Sequence, residues 1–263
     1  MELGLKDKVA LVAASSRGLG YAIAHELATE GAAVVMCARG EQRLAQAARE
    51  IAQQTGARVV PVAGDVAKLA DVERVARRAL GELGRVDVLV TNSGGPPAGT
   101  FDTTSPEAWK AAVDVLLTSA VELIRAVLPG MKQRRFGRIL NVTSITVKQP
   151  VENLILSNAL RAAVTGMART LASETAPFGI TVNNLLPGYT RTERLSELAD
   201  ATAARAGGTA GDFYARLETE IPARRLGEPR ELAALAAFLA SERAAYITGQ
   251  SIAVDGGWIR GLF

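Results

Sequence analysis

The 263-residue sequence has little of what builds disulfides, metal centres and histidine-based active sites: it contains one cysteine, Cys37, and one histidine, His25. A single cysteine excludes an intrachain disulfide and permits a reducing compartment. No group of histidine, cysteine and acidic residues has the spacing of metal ligands, so no metal is expected. We predict that Cys37 is a small buried residue at a strand end. His25 is predicted to be exposed on the first helix, too far from Ser144 for a Ser-His-Asp triad.

Long apolar runs are also missing. No stretch approaches the roughly 20 apolar residues of a membrane span, and the apolar run near the N-terminus is too short for a signal sequence. We therefore expect a soluble, cytoplasmic protein without a membrane partner. The formal net charge is only +3, and basic residues alternate with acidic ones along the helical segments. This pattern is typical of solvated faces, and we predict no nucleic-acid partner.

What the sequence does contain is a regular alternation of short apolar runs and helical segments. The runs are rich in valine and isoleucine and apolar on both faces, which is typical of parallel strands covered by helices on both sides. They are KVALVAA, AAVVMCA, RVVPVA, VDVLVTN, GRILNVT, GITVNNL and QSIAVD. Several helical segments end in a glycine suited to a C-cap. The pattern predicts one doubly wound, Rossmann-type α/β domain over residues 1–263, with a parallel sheet of about seven strands and helices on both faces.

Residues from about 190 to 222 interrupt this alternation. The stretch follows a strand and a Pro-Gly turn, and it is predicted to be irregular, with Gly207, Gly208 and Gly211 as sources of mobility. An insertion after the carboxyl end of a strand commonly covers a ligand site, because ligands bind at that edge of such sheets. We predict that this segment is a substrate lid. The side chains expected to form an apolar substrate pocket are Leu195, Leu198, Phe213 and Leu217.

The segment AASSRGLG, residues 13–20, joins the first strand to the first helix. Glycine at such a turn lets the backbone approach a pyrophosphate, whose charge then lies at the helix N-terminus. The pattern therefore predicts a dinucleotide site. The predicted contacts in this glycine loop are Ser15, Ser16, Arg17, Gly18, Leu19 and Gly20.

From residue 7 to about 258 the chain resembles the short-chain dehydrogenase/reductase family, in particular its 3-oxoacyl-ACP reductase-like members. The ending TGQSIAVDGGW is a close match to the family's last strand. The family opens its glycine loop with Thr-Gly where this chain has Ala13-Ala14, and the extra Cβ is tolerable if φ at Ala14 is negative. The resemblance implies further cofactor contacts near the adenine, after the fourth strand and near the nicotinamide. These are Asp65, Val66, Asn92, Gly94, Pro187, Gly188, Thr190 and Thr192.

The end of the second strand indicates which nicotinamide cofactor is bound. NAD sites usually carry an acidic residue there, and its charge would repel a 2′-phosphate. Here the position is Ala38, followed by Arg39, and Arg17 lies in the glycine loop. Two guanidinium groups can pair with a phosphate. We predict that NADP(H) is preferred over NAD(H).

Most of the catalytic positions that the resemblance implies are altered. The family uses a tyrosine to transfer the proton, a lysine four residues later that lowers the pKa of this tyrosine and holds the ribose, a serine, and an asparagine in a proton relay. Ser144 matches the serine, but the tyrosine, lysine and asparagine positions are Ser157, Arg161 and Leu116. Ser157 lacks phenol acidity, and Arg161 can hold the ribose but stays protonated. The family's usual mechanism is therefore not expected.

Other residues are candidates for the proton donor. Tyr189 follows the Pro-Gly turn, Tyr214 lies on the predicted lid, and Lys148 comes four residues after Ser144. Each also has a structural interpretation, which we favour: Tyr189 packs against the cofactor, Tyr214 anchors the lid, and Lys148 is a solvated loop charge.

Two functions are compatible with these residues. One is an NADPH-dependent reductase of a ketone or 3-oxoacyl thioester, in which Ser144 polarises the carbonyl and water or a lid residue supplies the proton. The other is an NADP-binding protein without turnover, acting as a sensor or as the partner subunit of an active homologue. The resemblance also implies a homotetramer built on the helices around 105–130 and 155–176 and on the C-terminal strand. Alanine at 159, 162, 163 and 168 and glycine at 166 would let the second of these helices pack closely.

Overall fold

A single parallel sheet forms the centre of the molecule. The computed structural model describes residues 2–262, and for residues 205 and 206 it describes the backbone alone. The strand order is β3-β2-β1-β4-β5-β6-β7, with all neighbouring strands parallel. The strands are β1 Val9–Ala13, β2 Ala33–Ala38, β3 Val59–Ala63, β4 Val88–Thr91, β5 Gly137–Val142, β6 Ile180–Pro187 and β7 Ser251–Val254. The predicted seven-strand Rossmann-type domain is confirmed.

Helices cover both faces of the sheet. They are α1 Gly18–Thr29, α2 Glu41–Thr55, α3 Leu69–Leu83, α4 Pro106–Val113, α5 Ser119–Arg134, α6 Ile155–Thr175, α7 Glu193–Ala206, α8 Ala210–Glu220 and α9 Pro229–Ala240. The predicted glycine C-caps are present after α2 and α3, where Gly56 and Gly84 have φ of 71° and 75°. A π-helix, Asp114–Thr118, joins α4 to α5.

Alternate strand residues enter two separate cores, which explains why the strands are apolar on both faces. Val12 of β1 belongs to the core beneath α1, α2 and α9. Its neighbour Leu11 belongs to the core beneath α3, α5 and α6. Both side chains are fully buried.

The order of the strands reverses between β1 and β4, since the chain builds outward through β2 and β3 and then returns to the other side of β1. The loops that follow β1 and β4 therefore diverge at the carboxyl edge of the sheet and leave a crevice. Asn92, directly after β4, donates from Nδ2 to the Ala14 carbonyl at 3.3 Å. This contact brings the two loops together at the position where such sheets bind ligands.

The segment from 190 to 222 is helical, so the prediction of an irregular stretch is wrong. It contains α7 and α8, and a reciprocal capping box between Thr209 and Asp212 starts α8. Gly207 ends α7 with a φ of 70°, and Gly211 lies inside α8. Of these glycines, only Gly207 has the left-handed backbone that ends a helix.

The lone cysteine and histidine both have structural positions. Cys37 is fully buried at the end of β2, as predicted, and burial raises the pKa of its thiol to about 12. His25 lies on α1 and is partly covered, because its Nε2 is hydrogen-bonded to Gln54 of α2 at 2.8 Å. Within residues 2–262, the helices include none that is long and apolar enough to cross a membrane.

Candidate active site

The glycine loop between β1 and α1 differs from the sequence expectation at its first turn. Ala14 has a φ of +48°, so the condition of a negative φ is not met. A left-handed backbone brings the Cβ of an alanine close to the next carbonyl, which glycine avoids. Gly18 also has a positive φ, 57°. The loop keeps the shape that two glycines would give, at a conformational cost at Ala14.

Gly20 allows the glycine loop to approach the loop that follows β4. A Cβ on Gly20 would lie 2.8 Å from the Asn92 amide nitrogen and closer still to the Ala14 carbonyl oxygen. No side chain fits in that space, so the glycine is required for the contact between the two loops at the crevice.

Ser15 connects the glycine loop to β2. Its hydroxyl donates to the Val12 carbonyl at 2.8 Å and accepts the Cys37 N–H at 3.1 Å. Its side chain is fully buried. The hydroxyl therefore shapes the loop, while Ser16 and Leu19 remain partly accessible and Arg17 is exposed.

Ala38 and Arg39 lie at the end of β2, where the sequence placed them. Ala38 is the last residue of the strand, and Arg39 follows it as an exposed side chain. Because Ser15 and Cys37 are bonded through both backbone and side chain, the glycine loop and Arg39 emerge at neighbouring strand ends. The end of β2, where NAD-binding proteins usually carry an acidic residue, therefore has Ala38 and the cation Arg39 and no carboxylate.

Asp65 and Val66 follow β3. The Asp65 carboxylate accepts the Ala67 N–H at 3.1 Å, and the Asp65 N–H donates to Asp71 at 2.8 Å. That backbone hydrogen bond, together with Arg74, lowers the pKa of Asp71. The turn is held by its own hydrogen bonds at the edge of the crevice.

The end of β6 forms the far side of the crevice. Gly188 donates its N–H to the Val254 carbonyl at 3.0 Å, and a Cβ there would lie 2.6 Å from the Asp255 Cα. The Thr190 hydroxyl donates to the Gly188 carbonyl at 3.1 Å. Thr192 is the N-cap of α7, its hydroxyl accepting the Leu195 N–H. Together with Pro187, these residues form a compact turn that leads directly into the lid.

Ser157 and Arg161 lie one turn apart on α6 and are bonded to each other. Arg161 Nε donates to the Ser157 hydroxyl at 3.2 Å. Its Nη1 donates to the carbonyls of Val142 and Thr143, at the end of β5, at 3.0 and 2.9 Å. The guanidinium therefore fixes the first turns of α6 to the carboxyl edge of the sheet.

Arg161 remains a cation although it is largely enclosed. Burial, and secondarily the charge of Arg194, lowers the pKa of Arg161 to about 10, which still leaves it protonated at neutral pH. Within the described residues no carboxylate forms an ion pair with this guanidinium. The site accordingly has a positive potential that is not neutralised locally.

Ser144 lies beside this cation, because it follows Thr143 in the chain. Its hydroxyl caps a short 3-10 helix, Ile145–Val147, by accepting the Thr146 N–H at 3.1 Å. Ser144 and Ser157 each accept one N–H, so the hydrogen of each hydroxyl is available for a ligand oxygen. The structure thus brings Ser144, Ser157 and Arg161 together at one strand end.

Leu116, at the position where an asparagine was expected from the resemblance, lies in the centre of the π-helix. The side chain is buried and packs with Leu156 and Leu160 of α6. A cavity of about 10 Å³ lies between this contact and Arg161, and Thr91, Ser119 and Leu116 are among its lining residues. This volume is that of a single water site.

A buried row of polar side chains crosses the sheet at this level, and the sequence analysis missed it. Thr91 donates to Asn141 at 2.7 Å, Asn141 to Asn184 at 3.1 Å, and Asn184 to Ser251 at 3.0 Å. Each partner is on the next strand, from β4 to β7. Polar residues in otherwise apolar strand runs were the available signal, but their register could not be read before the strands were paired.

The three alternative proton donors are Tyr189, Tyr214 and Lys148, and both tyrosines pack against other aromatic rings. Tyr189 packs edge-on against Trp258, with ring centroids 5.5 Å apart, and burial followed by the charge of Glu220 raises its pKa. Tyr214 packs against Phe213 on α8. Lys148 follows the short 3-10 helix after Ser144 and is exposed. Tyr189 thus packs on the lid core.

The segment predicted to be a lid, about 190–222, has a core of its own. Leu195, Phe213 and Leu217 are buried together with Ile221 and Leu226, and Leu198 packs against them. These side chains pack against one another inside this segment. The prediction that they line an open substrate pocket is therefore wrong. An open groove of about 440 Å³ lies instead between the loops that follow β4 and β5. Its apolar lining side chains are Phe101, Pro150, Val151 and Ile155.

Residues 13–259 match the family model described as enoyl-(acyl carrier protein) reductase. The 3-oxoacyl-[acyl-carrier-protein] reductase of Vibrio cholerae is 37% identical over 97% of this chain and 98% of its own length. The structure of L-sorbose reductase from Gluconobacter frateurii, in complex with NADPH and L-sorbose, has a TM-score of 0.95 at 36% identity and full coverage of both chains. An NADPH-bound short-chain oxidoreductase from Pseudomonas aeruginosa PAO1 containing an atypical catalytic center has a TM-score of 0.89 at 34% identity, covering 98% and 99% of the two chains.

Replacing Ala14 with glycine is expected to raise the free energy of unfolding by about 0.5–1 kcal/mol, because glycine adopts a left-handed backbone without the Cβ clash. The Tm, measured by thermal unfolding, should rise by about 2 °C. Ala13→Gly, in the extended backbone of β1, is the matched control and should lower the Tm. A Tm for Ala14→Gly at or below that of the wild type would contradict the strained conformation.

Proposed function

The chain belongs to the short-chain dehydrogenase/reductase family of nicotinamide-dependent oxidoreductases, and we propose that it reduces a ketone or a 3-oxoacyl thioester with NADPH. The proposal includes a proton source other than the family's tyrosine. The observation that carries it is that Arg161 bonds both to Ser157 and to the carbonyl of Thr143, the residue before Ser144, at the carboxyl end of β5. Hydroxyl donors and a cation near one strand end are suited to a carbonyl oxygen that gains negative charge.

The proposed cofactor site is the crevice at the carboxyl edge of the sheet, and its shape and its arginines support the choice of NADP(H). In this proposal the glycine loop receives the pyrophosphate, and the absence of a Cβ at Gly20 provides the close approach. Arg17 and Arg39 would contact the 2′-phosphate, Asp65 and Val66 the adenine, and Asn92 and Gly94 the central part of the cofactor. The turn containing Pro187, Gly188, Thr190 and Thr192 would contact the nicotinamide amide. NADPH, when bound, supplies the hydride.

The residues around the reacting carbonyl would act by electrostatics. Ser144 would donate a hydrogen bond to the carbonyl oxygen, and the short side chain of Ser157 would do so through a water molecule, since each hydroxyl accepts an N–H and keeps its hydrogen free. Arg161 would stabilise the alkoxide through its positive charge. Preorganised donors aimed at a developing oxyanion are among the largest contributions to enzymatic rate.

The proton would come from water. Arg161 stays protonated at neutral pH with a pKa of about 10, and burial raises the pKa of Tyr189, so neither is matched to proton transfer near neutrality. The cavity beside Arg161 and Ser119 has the volume for one water molecule. Electrostatic stabilisation of the alkoxide would lower the demand for a strong acid in the transition state.

We also propose that the chain forms a homotetramer, with α6 at one interface. The side chains of Ala159, Ala162 and Ala163, and the position of Gly166, are exposed on one face of α6, whereas Ala168 is buried within the chain. A face made of small residues lets two helices approach closely. This face of α6 would pack against the same face of a second copy, which makes the interface isologous.

The cofactor preference is tested by the affinity for NADPH and NADH. The wild type is expected to bind NADPH at least tenfold more tightly, because each charge-assisted hydrogen bond to a phosphate contributes about 1.5–3 kcal/mol. Arg39→Ala should weaken NADPH binding by about tenfold and leave NADH binding nearly unchanged. Equal affinity of the wild type for NADPH and NADH would refute the proposed preference.

Turnover is tested by following NADPH oxidation with simple ketones and short 3-oxoacyl thioesters. The wild type should be active, and Ser144→Ala should lower kcat by about tenfold or more, because it removes a donor to the developing oxyanion. The triple variant Leu116→Asn, Ser157→Tyr, Arg161→Lys restores the family residues. It should gain little if water already serves as the proton source.

Two controls define the result of this experiment. The double variant Ser157→Tyr, Arg161→Lys keeps Leu116, so a loss of folding from a buried asparagine can be separated from a catalytic effect. A wild type that binds NADPH but shows no turnover, together with an active triple variant, would contradict the reductase proposal. That outcome would favour a sensor or the partner subunit of an active homologue.

The oligomer is tested by light scattering. The wild type is expected to have the mass of four chains, and Gly166→Arg should lower it, because a long charged side chain would enter the α6 contact. Gly81→Arg on α3 is the matched control, since Gly81 is likewise exposed on a helix with no neighbouring atom near its Cβ position. A wild type that is monomeric at micromolar concentration would refute the tetramer.

A further inference from the structure

A carboxylate of the lid lies between two arginines of the cofactor crevice. Glu193, the first residue of α7, forms ion pairs with Arg17 of the glycine loop and with Arg43 of α2. One carboxylate oxygen contacts each guanidinium. Glu197, one turn further along α7, lies 3.8 Å from Arg17 as a weaker second contact. The start of the lid is thus tied to both walls of the predicted 2′-phosphate site.

Packing holds the same end of α7 in place. A Cβ on Gly18 would lie 3.7 Å from the methyl group of Thr192, so the N-cap of the lid helix rests on the glycine loop. On the other side, Arg194 Nη2 donates to the Pro96 carbonyl at 2.8 Å. The first turn of α7 therefore spans the crevice from the glycine loop to the loop that follows β4.

The arrangement around Glu193 resembles half of a phosphate site. Arg17 and Arg43 come from the two elements that follow β1 and β2, and Arg43 lies four residues after Arg39. A carboxylate offers two oxygens and one negative charge to these guanidiniums. A phosphate monoester offers three oxygens and nearly two charges, so it binds paired arginines more strongly than a carboxylate does.

We infer that Glu193 latches the lid to the cofactor crevice and that the 2′-phosphate of NADP(H) displaces it from Arg17 and Arg43. Glu193 is thereby a residue that sets cofactor selectivity, and Arg43 is a third phosphate-binding arginine besides Arg17 and Arg39. The inference rests on the proposed use of NADP(H). NADH, which lacks the 2′-phosphate, would leave the latch closed.

The latch reduces the affinity for NADPH and leaves the affinity for NADH unchanged. Breaking the ion pairs of Glu193 opposes NADPH binding, whereas NADH binding does not require it. All three side chains are about half exposed, and exposed ion pairs are weak enough to exchange with a competing anion. The wild-type preference for NADPH is therefore smaller than its arginines alone would allow.

The experiment compares Glu193→Gln with the wild type in affinity for NADPH and NADH. Adenosine 2′,5′-bisphosphate and AMP serve as probes that carry no nicotinamide. Glu193→Gln should bind NADPH and the bisphosphate about three- to fivefold more tightly, the factor that corresponds to losing weak exposed ion pairs, while NADH and AMP change by less than twofold. Glu218→Gln is the matched control, because Glu218 is a lid carboxylate that pairs with Arg191 at 3.0 Å and should change neither affinity.

A double-mutant cycle with Arg43→Gln tests the third arginine. Arg43→Gln should weaken binding of the bisphosphate more in the Glu193→Gln background than in the wild type, because only there is Arg43 free to pair with the phosphate at no cost. An additive cycle, or an equal change for the bisphosphate and AMP in Glu193→Gln, would overturn the latch.

The outcomes separate this inference from the proposed function. A wild type that prefers NADPH, with a Glu193→Gln variant of unchanged selectivity, overturns the latch and leaves the cofactor proposal intact. A wild type without preference, with a Glu193→Gln variant that acquires one, supports the latch and refutes the cofactor preference proposed for the wild type. If neither protein distinguishes the bisphosphate from AMP, both are refuted.

Discussion

The carbonyls of Val142 and Thr143 at the end of β5 need hydrogen-bond donors, and Arg161 supplies them. Strands that end at the carboxyl edge of a parallel sheet leave such groups without a partner in the ladder. A guanidinium can satisfy two carbonyls and still hold Ser157 through Nε. Arg161 therefore links the first turns of α6 to the end of β5, orients Ser157 and forms part of the wall of the small cavity. Removing Arg161 would take a hydrogen-bond donor from both carbonyls and change the charge of the site.

In the proposed mechanism Arg161 acts by electrostatics and not by acid–base chemistry. An arginine whose pKa is about 10 retains its charge throughout the neutral range, so it would stabilise an oxyanion and would relay no proton. Leu116 packs against Leu156 and Leu160 in the centre of the π-helix. The π-helix is therefore compatible with an apolar, buried side chain at its centre.

The elements that could be predicted were those whose signal is local. Apolar strand runs, Gly56 and Gly84 as helix ends, and the crevice after β1 all follow from residue type and short spacing. The φ of Ala14 could not be predicted, because the loop is held by Asn92 and the β2 backbone, which are remote in sequence. Glycines predicted an irregular stretch at 190–222, but Gly207 only ends α7 and the capping box between Thr209 and Asp212 starts α8 directly afterwards.

The sequence by itself determined the parallel sheet, the position of the glycine loop and the absence of an acidic residue at the end of β2. These depend on residue identity within a few positions of the chain. Only the tertiary structure decided that Arg161 bonds β5 carbonyls, that Thr91, Asn141, Asn184 and Ser251 form one row, and that Glu193 meets Arg17 and Arg43. Those contacts join residues from different strands and helices, 150 and 176 positions apart for the two pairs of Glu193. Their geometry is set by strand order and helix docking, which no local pattern contains.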